Sequence, residues 1–374
     1  MKYTKCLYPD GAEPVGMVSV SQLQSFMSCP KKWAYGYVEN LTPRVERPYL
    51  SVGKLCHKGM EAVMKYKWEH EREQGWCRED ALKEGIFAIV EEWYEYMNSN
   101  CFLAEEIPAQ EQIQEDAIKV FSQAFWEFDI DKYEVLTVCK RGVEMPAVEL
   151  HFLVPCKGSK GLHGYIDAIL RDKTTGFTWC TDYKFRKSMS PDEDEEVNIQ
   201  NAVYAYACKK MGIEVTGTMT WQHVNTPAAD PSILKNGTFS RAKIKTTWQH
   251  YAECVSNAGG DPEEYREEME PKLADIEWFR PTYEYRNDET VKRMWTQVVE
   301  PTSMEVNRHR NQKLAVSNKY AKRVYPWNCK MCQYRQLCQA ELRDYDVGAI
   351  KAAEYVVREH ARKPIDKGIV DVVK

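Results

Sequence analysis

The sequence predicts an α/β fold, a mixed β-sheet flanked by helices, and three observations predict it. First, two apolar runs, Gly164-Tyr165-Ile166-Asp167-Ala168-Ile169-Leu170 and Phe177-Thr178-Trp179-Cys180-Thr181, are separated by the turn signal Lys173-Thr174-Thr175-Gly176 and read as a strand hairpin. Second, a helical run from Val197 to Ala207 follows, ends at Gly212, and gives way to a further strand from Val215 to Val224. Third, Val143 to Val154 has strand character just ahead of the hairpin.

Length and composition set the frame. A chain of 374 residues has room for more than one core, and its 43% apolar and 29% charged residues are those of a globular protein. No apolar run approaches the roughly 20 residues of a membrane span. No apolar signal core follows Met1-Lys2-Tyr3-Thr4-Lys5, so a cytoplasmic location is expected. The net charge of −5 excludes a generally basic nucleic-acid coat protein, and any nucleic-acid contact has to come from a local patch. One acid-free basic stretch holds Arg308, Arg310, Lys313, Lys319, Lys322, Arg323, Lys330 and Arg335. The thirteen cysteines are not expected to form a disulfide framework, and most read as small buried hydrophobes.

Taken in order, Ser19 or Ser21 caps a helix carrying Leu23, Phe26 and Met27 on one face, and Cys29-Pro30 breaks it and starts another. Leu50 to Tyr66 reads as a helix with Gly53 and His57 near its start. Lys67 to Asp131 is helical, with Trp93, Tyr94, Tyr96, Phe121, Phe125, Trp126 and Phe128 expected to pack between helices. Glu149, within the next strand, is either a further acid of the site below or an outward-facing residue. In the hairpin, strands lie about 5 Å apart. Asp182 and Lys184 share a face, and in a suitable register Asp167 joins them. Two carboxylates beside an ammonium make a site for a hard divalent cation.

The acids from Asp192 to Glu196 read as a helix start complementing its dipole, and Gln200 and Tyr204 lie one turn apart on one face. A loop follows from Asn225, with Arg241 and Lys243 placed to follow a nucleic-acid backbone. Residues 246 to 322 read as helical, with a strand near Trp278 to Tyr285. Cys329-x-x-Cys332-x5-Cys338 signals a bound metal or cluster with one coordination position left open. Asp344 to Lys374 reads as a charged helical tail.

Four of these pieces, Gly53-x-x-x-His57, Gly164-x-x-Asp167, Asp182-x-Lys184 and Gln200-x-x-x-Tyr204, together resemble the motifs of the PD-(D/E)XK nuclease superfamily. The closer resemblance is to its RecB-like exonuclease branch with a four-cysteine iron–sulfur cluster, found in phage RecB-like, AddB-like and CRISPR-adaptation nucleases. The Ser-x-Ser-x-Leu…Cys-Pro-x-x-Trp opening is similar to the N-terminal segment of that branch.

The resemblance implies a restriction-endonuclease-like core with helical insertions and a C-terminal cysteine segment. The chain then divides into N-terminal core helices (18–66), a helical insertion (67–142), the core sheet and helix (143–227), a helical and loop insertion (228–324), the cysteine segment (325–345) and a helical tail (346–374). It implies that His57, Asp167, Asp182 and the carbonyl of Tyr183 hold Mg2+ or Mn2+, that Lys184 stabilises developing charge, and that Gln200 and Tyr204 position DNA. It makes Cys29 the fourth ligand, with Cys329, Cys332 and Cys338, of a structural 4Fe-4S cluster, structural Zn2+ being the alternative.

The implied activity is a metal-dependent DNA nuclease, an exonuclease of recombination, repair or phage replication. Arg241, Lys243, Arg308, Arg310, Lys322 and Arg323 are the candidate DNA contacts, no membrane is involved, and a recombination or helicase partner is left open. The rival reading is an iron–sulfur or zinc-stabilised DNA-binding subunit with a non-catalytic nuclease-like domain.

Overall fold

The computed structural model describes residues 17–44, 48–73, 75–100, 102, 104–140, 142–311, 321–324, 329–357 and 370–372. Lys313, Lys319 and residues 325–328 of the predicted basic and cysteine segments lie outside them.

Strand β1 (Met17–Ser19) ends in the residue that caps α1 (Val20–Ser28): the Ser19 hydroxyl accepts the Gln22 N–H at 3.2 Å. Cys29 is extended, and Pro30 opens the short α2 (Pro30–Trp33). Strand β2 (Leu41–Pro43) precedes α3 (Pro48–Arg72), which extends past both ends of the predicted helix. Helices α4 (Arg78–Ser99) and α5 (Ile107–Glu127) follow, then β3 (Tyr133–Val135) and β4 (Thr137–Lys140). The single strand expected from Val143 to Val154 is two. β5 (Val143–Pro146) pairs with β4 in a small separate sheet, and β6 (Val148–Val154) joins the main sheet. Pro146, which has no N–H to give, stands at the break.

The hairpin is formed by β7 (Gly161–Asp172) and β8 (Thr178–Arg186), and β8 runs on through Asp182 and Lys184. Asp172 Oδ1 accepts the N–H groups of Thr174 and Thr175 at 2.8 and 3.0 Å, and Gly176 turns the chain at φ 72°. After the short α6 (Asp192–Glu196), Asn198 caps α7 (Ile199–Met211), and Gly212 ends it in the left-handed region. Strand β9 (Gly217–Val224), helices α8 (Trp248–Asn257) and α9 (Glu263–Ala274), strand β10 (Phe279–Tyr285), and helices α10 (Asp288–Met294) and α11 (Glu300–Asn311) complete the body.

The main sheet is mixed, as expected: β1–β7 and β8–β9 are parallel, while β6–β7, β3–β7, β7–β8 and β9–β10 are antiparallel. One edge of β7 is covered by β6 and β3. On the other edge β1 pairs with residues 161–163 and β8 with residues 168–171. Residues 164–167 therefore have no ladder partner on that edge, and the sheet parts there. The Gly164-x-x-Asp167 motif spans this gap. Gly164 has no side chain because a Cβ would stand 2.8 Å from the Phe152 ring and 3.1 Å from Val20.

A core lies on each face. One packs α1, α2, α7 and α11 on Leu150, Phe152, Ile166, Ile169 and Cys180. The other packs α3, α4 and α5 on Val148, Ala168, Leu170, Trp179, Tyr183 and Trp221. The segment 67–142 covers one face of the sheet and contributes β3 to it. Trp93, Phe121, Phe125 and Phe128 are buried as predicted, whereas Tyr94 and Trp126 are exposed. Within 228–324, β10 pairs with β9, and Val291, Trp295, Val299 and Val306 join the first core. Only α8 and α9, with Phe239, build a small core of their own.

The tail also departs from expectation. Helices Arg335–Leu342 and Val347–Glu354 lead into β11 (Tyr355–Val357), which pairs with β2, and β12 (Val370–Val372) pairs with β4. Tyr35, Leu41, Tyr334, Leu337 and Tyr355 form a fourth core that joins the two ends of the described chain.

Candidate functional site

The gap in the sheet gathers the predicted residues. At its end Asp167 Oδ2 accepts the backbone N–H of Tyr183 at 2.8 Å, so a side chain takes the place of a ladder bond where β8 leaves β7. His57, on α3, sets Nδ1 3.4 Å from that same oxygen. Asp182 is buried at 1% exposure, and Lys184 Nζ lies 2.5 Å from its Oδ2. On α7, Gln200 donates to Asp182 Oδ1 at 3.0 Å and to the Tyr204 hydroxyl at 2.6 Å, while its Oε1 accepts from Lys184 at 3.3 Å. Gln24 of α1 donates to the same Oε1 at 3.4 Å. His57, Asp167, Asp182, Tyr183, Lys184, Gln200 and Tyr204 are thereby brought together. Tyr204 is 4% exposed, and its hydroxyl accepts from the Gln200 amide.

Glu149 belongs to the same cluster. Val148 pairs with Ala168 and Leu150 with Ile166, so Glu149 faces Asp167 across the β6–β7 ladder. Its φ is +48°, a region a non-glycine residue rarely enters. Val148 and Leu150 face opposite cores, as do Ala168 and Ile166, so both strands change phase at this pair.

The electrostatics follow from burial. Burial, with the Asp182 charge added, pushes the Asp167 carboxyl well above the usual carboxylate range against the opposing pull of Lys184 and the Tyr183 N–H. Burial and the Lys184 charge lower His57 to about 4, against Asp182 and Glu149, so the imidazole is neutral near pH 7 and keeps a lone pair to donate. Two close carboxylates, a neutral imidazole and a carbonyl fit a divalent cation, and a cation offsets the repulsion and burial that disfavour ionised Asp167.

A cleft of about 630 Å³ opens in front, lined by Lys54, His57, Lys184, Arg186, Lys187 and Met331 among others. Buried Glu195 fixes Arg186 at 2.7 Å, and Gln222 accepts from the same guanidinium at 3.0 Å. The run Lys184-Phe185-Arg186-Lys187 was the signal for these cations in the sequence. Several of the predicted DNA contacts have partners within the chain. Arg241 pairs with Glu268 at 2.7 Å, Lys243 with Asp275 at 3.3 Å, and Arg323 with Glu341 at 2.5 Å. Arg310 bonds the Met17 carbonyl and Gln22. Arg308 and Lys322 are not among the residues lining the cleft, and the Lys322 carbonyl accepts the Lys31 N–H at 3.0 Å.

Cys29, Cys329, Cys332 and Cys338 line one small cavity at the joined ends of the chain. Arg323 Nε points at Cys338 Sγ from 3.4 Å. Buried Lys31 reaches Glu341 at 2.8 Å, Tyr35 donates to the same carboxylate at 2.5 Å, and the Tyr334 hydroxyl donates to the Leu41 carbonyl at 2.7 Å. Met331 links this lobe to the cleft. Among the described residues no helix is long and apolar enough to cross a membrane.

A family model described as the PD-(D/E)XK nuclease superfamily matches residues 17–339. No curated protein matches the chain significantly.

Proposed function

This chain belongs to the PD-(D/E)XK nuclease superfamily, and on that premise we propose that it is a divalent-metal-dependent deoxyribonuclease working from DNA ends in recombination, repair or phage replication. The observation that carries the reading is the pair Asp167 and Asp182 at the parting of β7 and β8, with neutral His57 and the Lys184 ammonium between them and the cleft.

His57, Asp167, Asp182 and the Tyr183 carbonyl would hold Mg2+ or Mn2+, which supplies an acidified water and charge neutralisation at phosphate. Lys184, aimed by Asp182 and Gln200, stabilises the negative charge that develops on the phosphate oxygens. Gln200 holds the Asp182 carboxylate and the lysine in one orientation, so neither has to reorganise during the reaction. Lys54, Arg186 and Lys187 take backbone phosphates along the cleft. Met331 brings the cysteine lobe to the wall of that cleft.

The cysteine lobe is read as the seat of a 4Fe-4S cluster. All four cysteines line one cavity, which supports a shared centre, with structural Zn2+ as the alternative.

The test incubates anaerobically purified chain with linear and circular, single- and double-stranded DNA plus Mg2+ or Mn2+, beside Asp182→Ala and Lys184→Ala. Degradation of linear DNA that needs metal and vanishes in both variants is expected. Cleavage of circles at equal rates would replace the end-dependent reading, and binding without cleavage in any condition would sink the nuclease reading.

A further inference from the structure

Asp230, His250 and Cys254 converge on one point far along the chain from the motifs above. His250 and Cys254 lie one turn apart on α8, whose N-terminus Thr247 caps by accepting the His250 N–H at 3.1 Å. Asp230 comes from the loop between β9 and α8, which is tied down by the Ala229 N–H to the Lys245 carbonyl at 2.8 Å. Asp230 Oδ1 is 2.7 Å from His250 Nε2, Cys254 Sγ is 3.6 Å from the same nitrogen, and the sulfur and the carboxylate oxygen are 3.8 Å apart.

Which nitrogen is used decides between two chemistries. In a hydrolytic Asp–His–Cys relay the carboxylate and the thiol sit on opposite ring nitrogens, so that one orients and the other receives the proton. Here both approach Nε2, and Nδ1 takes no part. Three different donors aimed at a common centre are the pattern of ligands around a metal. With zinc bonds of roughly 2.0–2.3 Å, the edges of a tetrahedron come to about 3.3–3.6 Å. The two edges to sulfur already match within a few tenths of an ångström, and the Asp230–His250 edge has to open by about 0.6 Å.

We propose that Asp230, His250 and Cys254 form a zinc-class site, with a fourth position open to water or an outside ligand. The thiolate and imidazole select a borderline ion over Mg2+. The site therefore does not compete with the sheet centre for its metal. Its structural role is legible in the surroundings. The α8–α9 unit rests on a buried core of Phe239, Tyr251, Val255, Tyr265, Met269 and Leu273, with Trp248, Cys254 and Ile276 packed against it, which is small for its length. A metal stapling α8 to the incoming loop fixes the path of a segment that starts at Asn225, a residue lining the catalytic cleft.

The test uses the full chain, stripped with a chelator and titrated with zinc alone. Because the four thiols of the cysteine lobe would compete for added zinc, alkylation of Cys254 is followed on its own peptide by mass spectrometry. Zinc should slow that alkylation about tenfold or more while magnesium leaves it unchanged. Metal analysis should then find one zinc equivalent fewer in Cys254→Ser and His250→Ala than in the parent, with Cys254→His retaining it. Unchanged alkylation with zinc, or equal zinc content in the parent and Cys254→Ser, would overturn the site and leave a plain hydrogen-bonded cluster.

Discussion

Glu149 stands directly across the β6–β7 ladder from Asp167, at the one place where both strands change phase. Its charge is felt by His57, Tyr183 and Tyr204, and its positive φ costs on the order of 1 kcal/mol that the surrounding sheet has to supply. Residues held in such a conformation concentrate at functional sites. Glu149→Gln should lower metal-dependent cleavage about tenfold, with recovery at raised Mn2+ concentration, the size of effect typical of groups that tune metal ligands. Cleavage measured across a Mn2+ titration checks this, and superimposable curves would return Glu149 to the role of a strained strand residue.

Gln200 joins Asp182, Lys184, Tyr204 and Gln24 through one amide. Gln200→Ala leaves the carboxylate and the ammonium without their common partner. The single-turnover cleavage rate should fall about 10–100-fold with little change in DNA affinity. Tyr204→Phe removes one hydrogen bond, worth about 1 kcal/mol, and should cost about fivefold. A loss of DNA affinity that matches the loss of rate would instead make Gln200 a strand contact.

The cysteine lobe carries an acid-sensitive bond. Burial opposes the Glu341 charge, but the bonds from Lys31 and Tyr35 and the charges of Lys31 and Arg323 outweigh it, so its pKa is lowered. A group with a lowered folded pKa contributes stability above its unfolded value, about 4.3, and loses it as pH falls through the folded value. Lobe stability should therefore be flat near neutrality and fall below about pH 4. In Glu341→Gln that acid limb should flatten, while stability at pH 7 drops because Lys31, 1% exposed, loses the Glu341 charge beside it. Chemical denaturation followed at several pH values measures both effects. An unchanged acid limb in the variant would assign it to other carboxylates.

Cys332→Ser tests the link between the lobe and the cleft. Met331, its neighbour, lines the cleft. The variant should lose visible iron–sulfur absorbance and, at equal folded concentration, several-fold in cleavage rate on DNA ends. Full activity without the chromophore would confine the lobe to stability alone.

Much of the site was legible because its signals are local. Alternation puts Asp182 and Lys184 on one face, helical spacing puts Gln200 beneath Tyr204, and Ser19, Asn198 and Gly212 cap their helices by rules that need only neighbours. Other features depended on partners distant in sequence. The switch at Glu149 exists only because β6 and β7 shift phase together, which no single strand reveals. The partners of Arg241, Arg310 and Arg323 were not legible because Glu268, Gln22 and Glu341 lie far from them in the chain. Which surface the helices of segment 67–142 cover was not legible either, because an amphipathic helix does not say what it packs on, and here that surface is the sheet.

The bond from Tyr334 to the Leu41 carbonyl spans 293 positions. A contact of that separation closes late, since loop-closure entropy has to be met before the contact repays it. On a ribosome the sheet and its acids have emerged well before residue 331 arrives to wall the cleft. The emerging chain thus holds its acids in an unfinished groove until the cysteine lobe has docked.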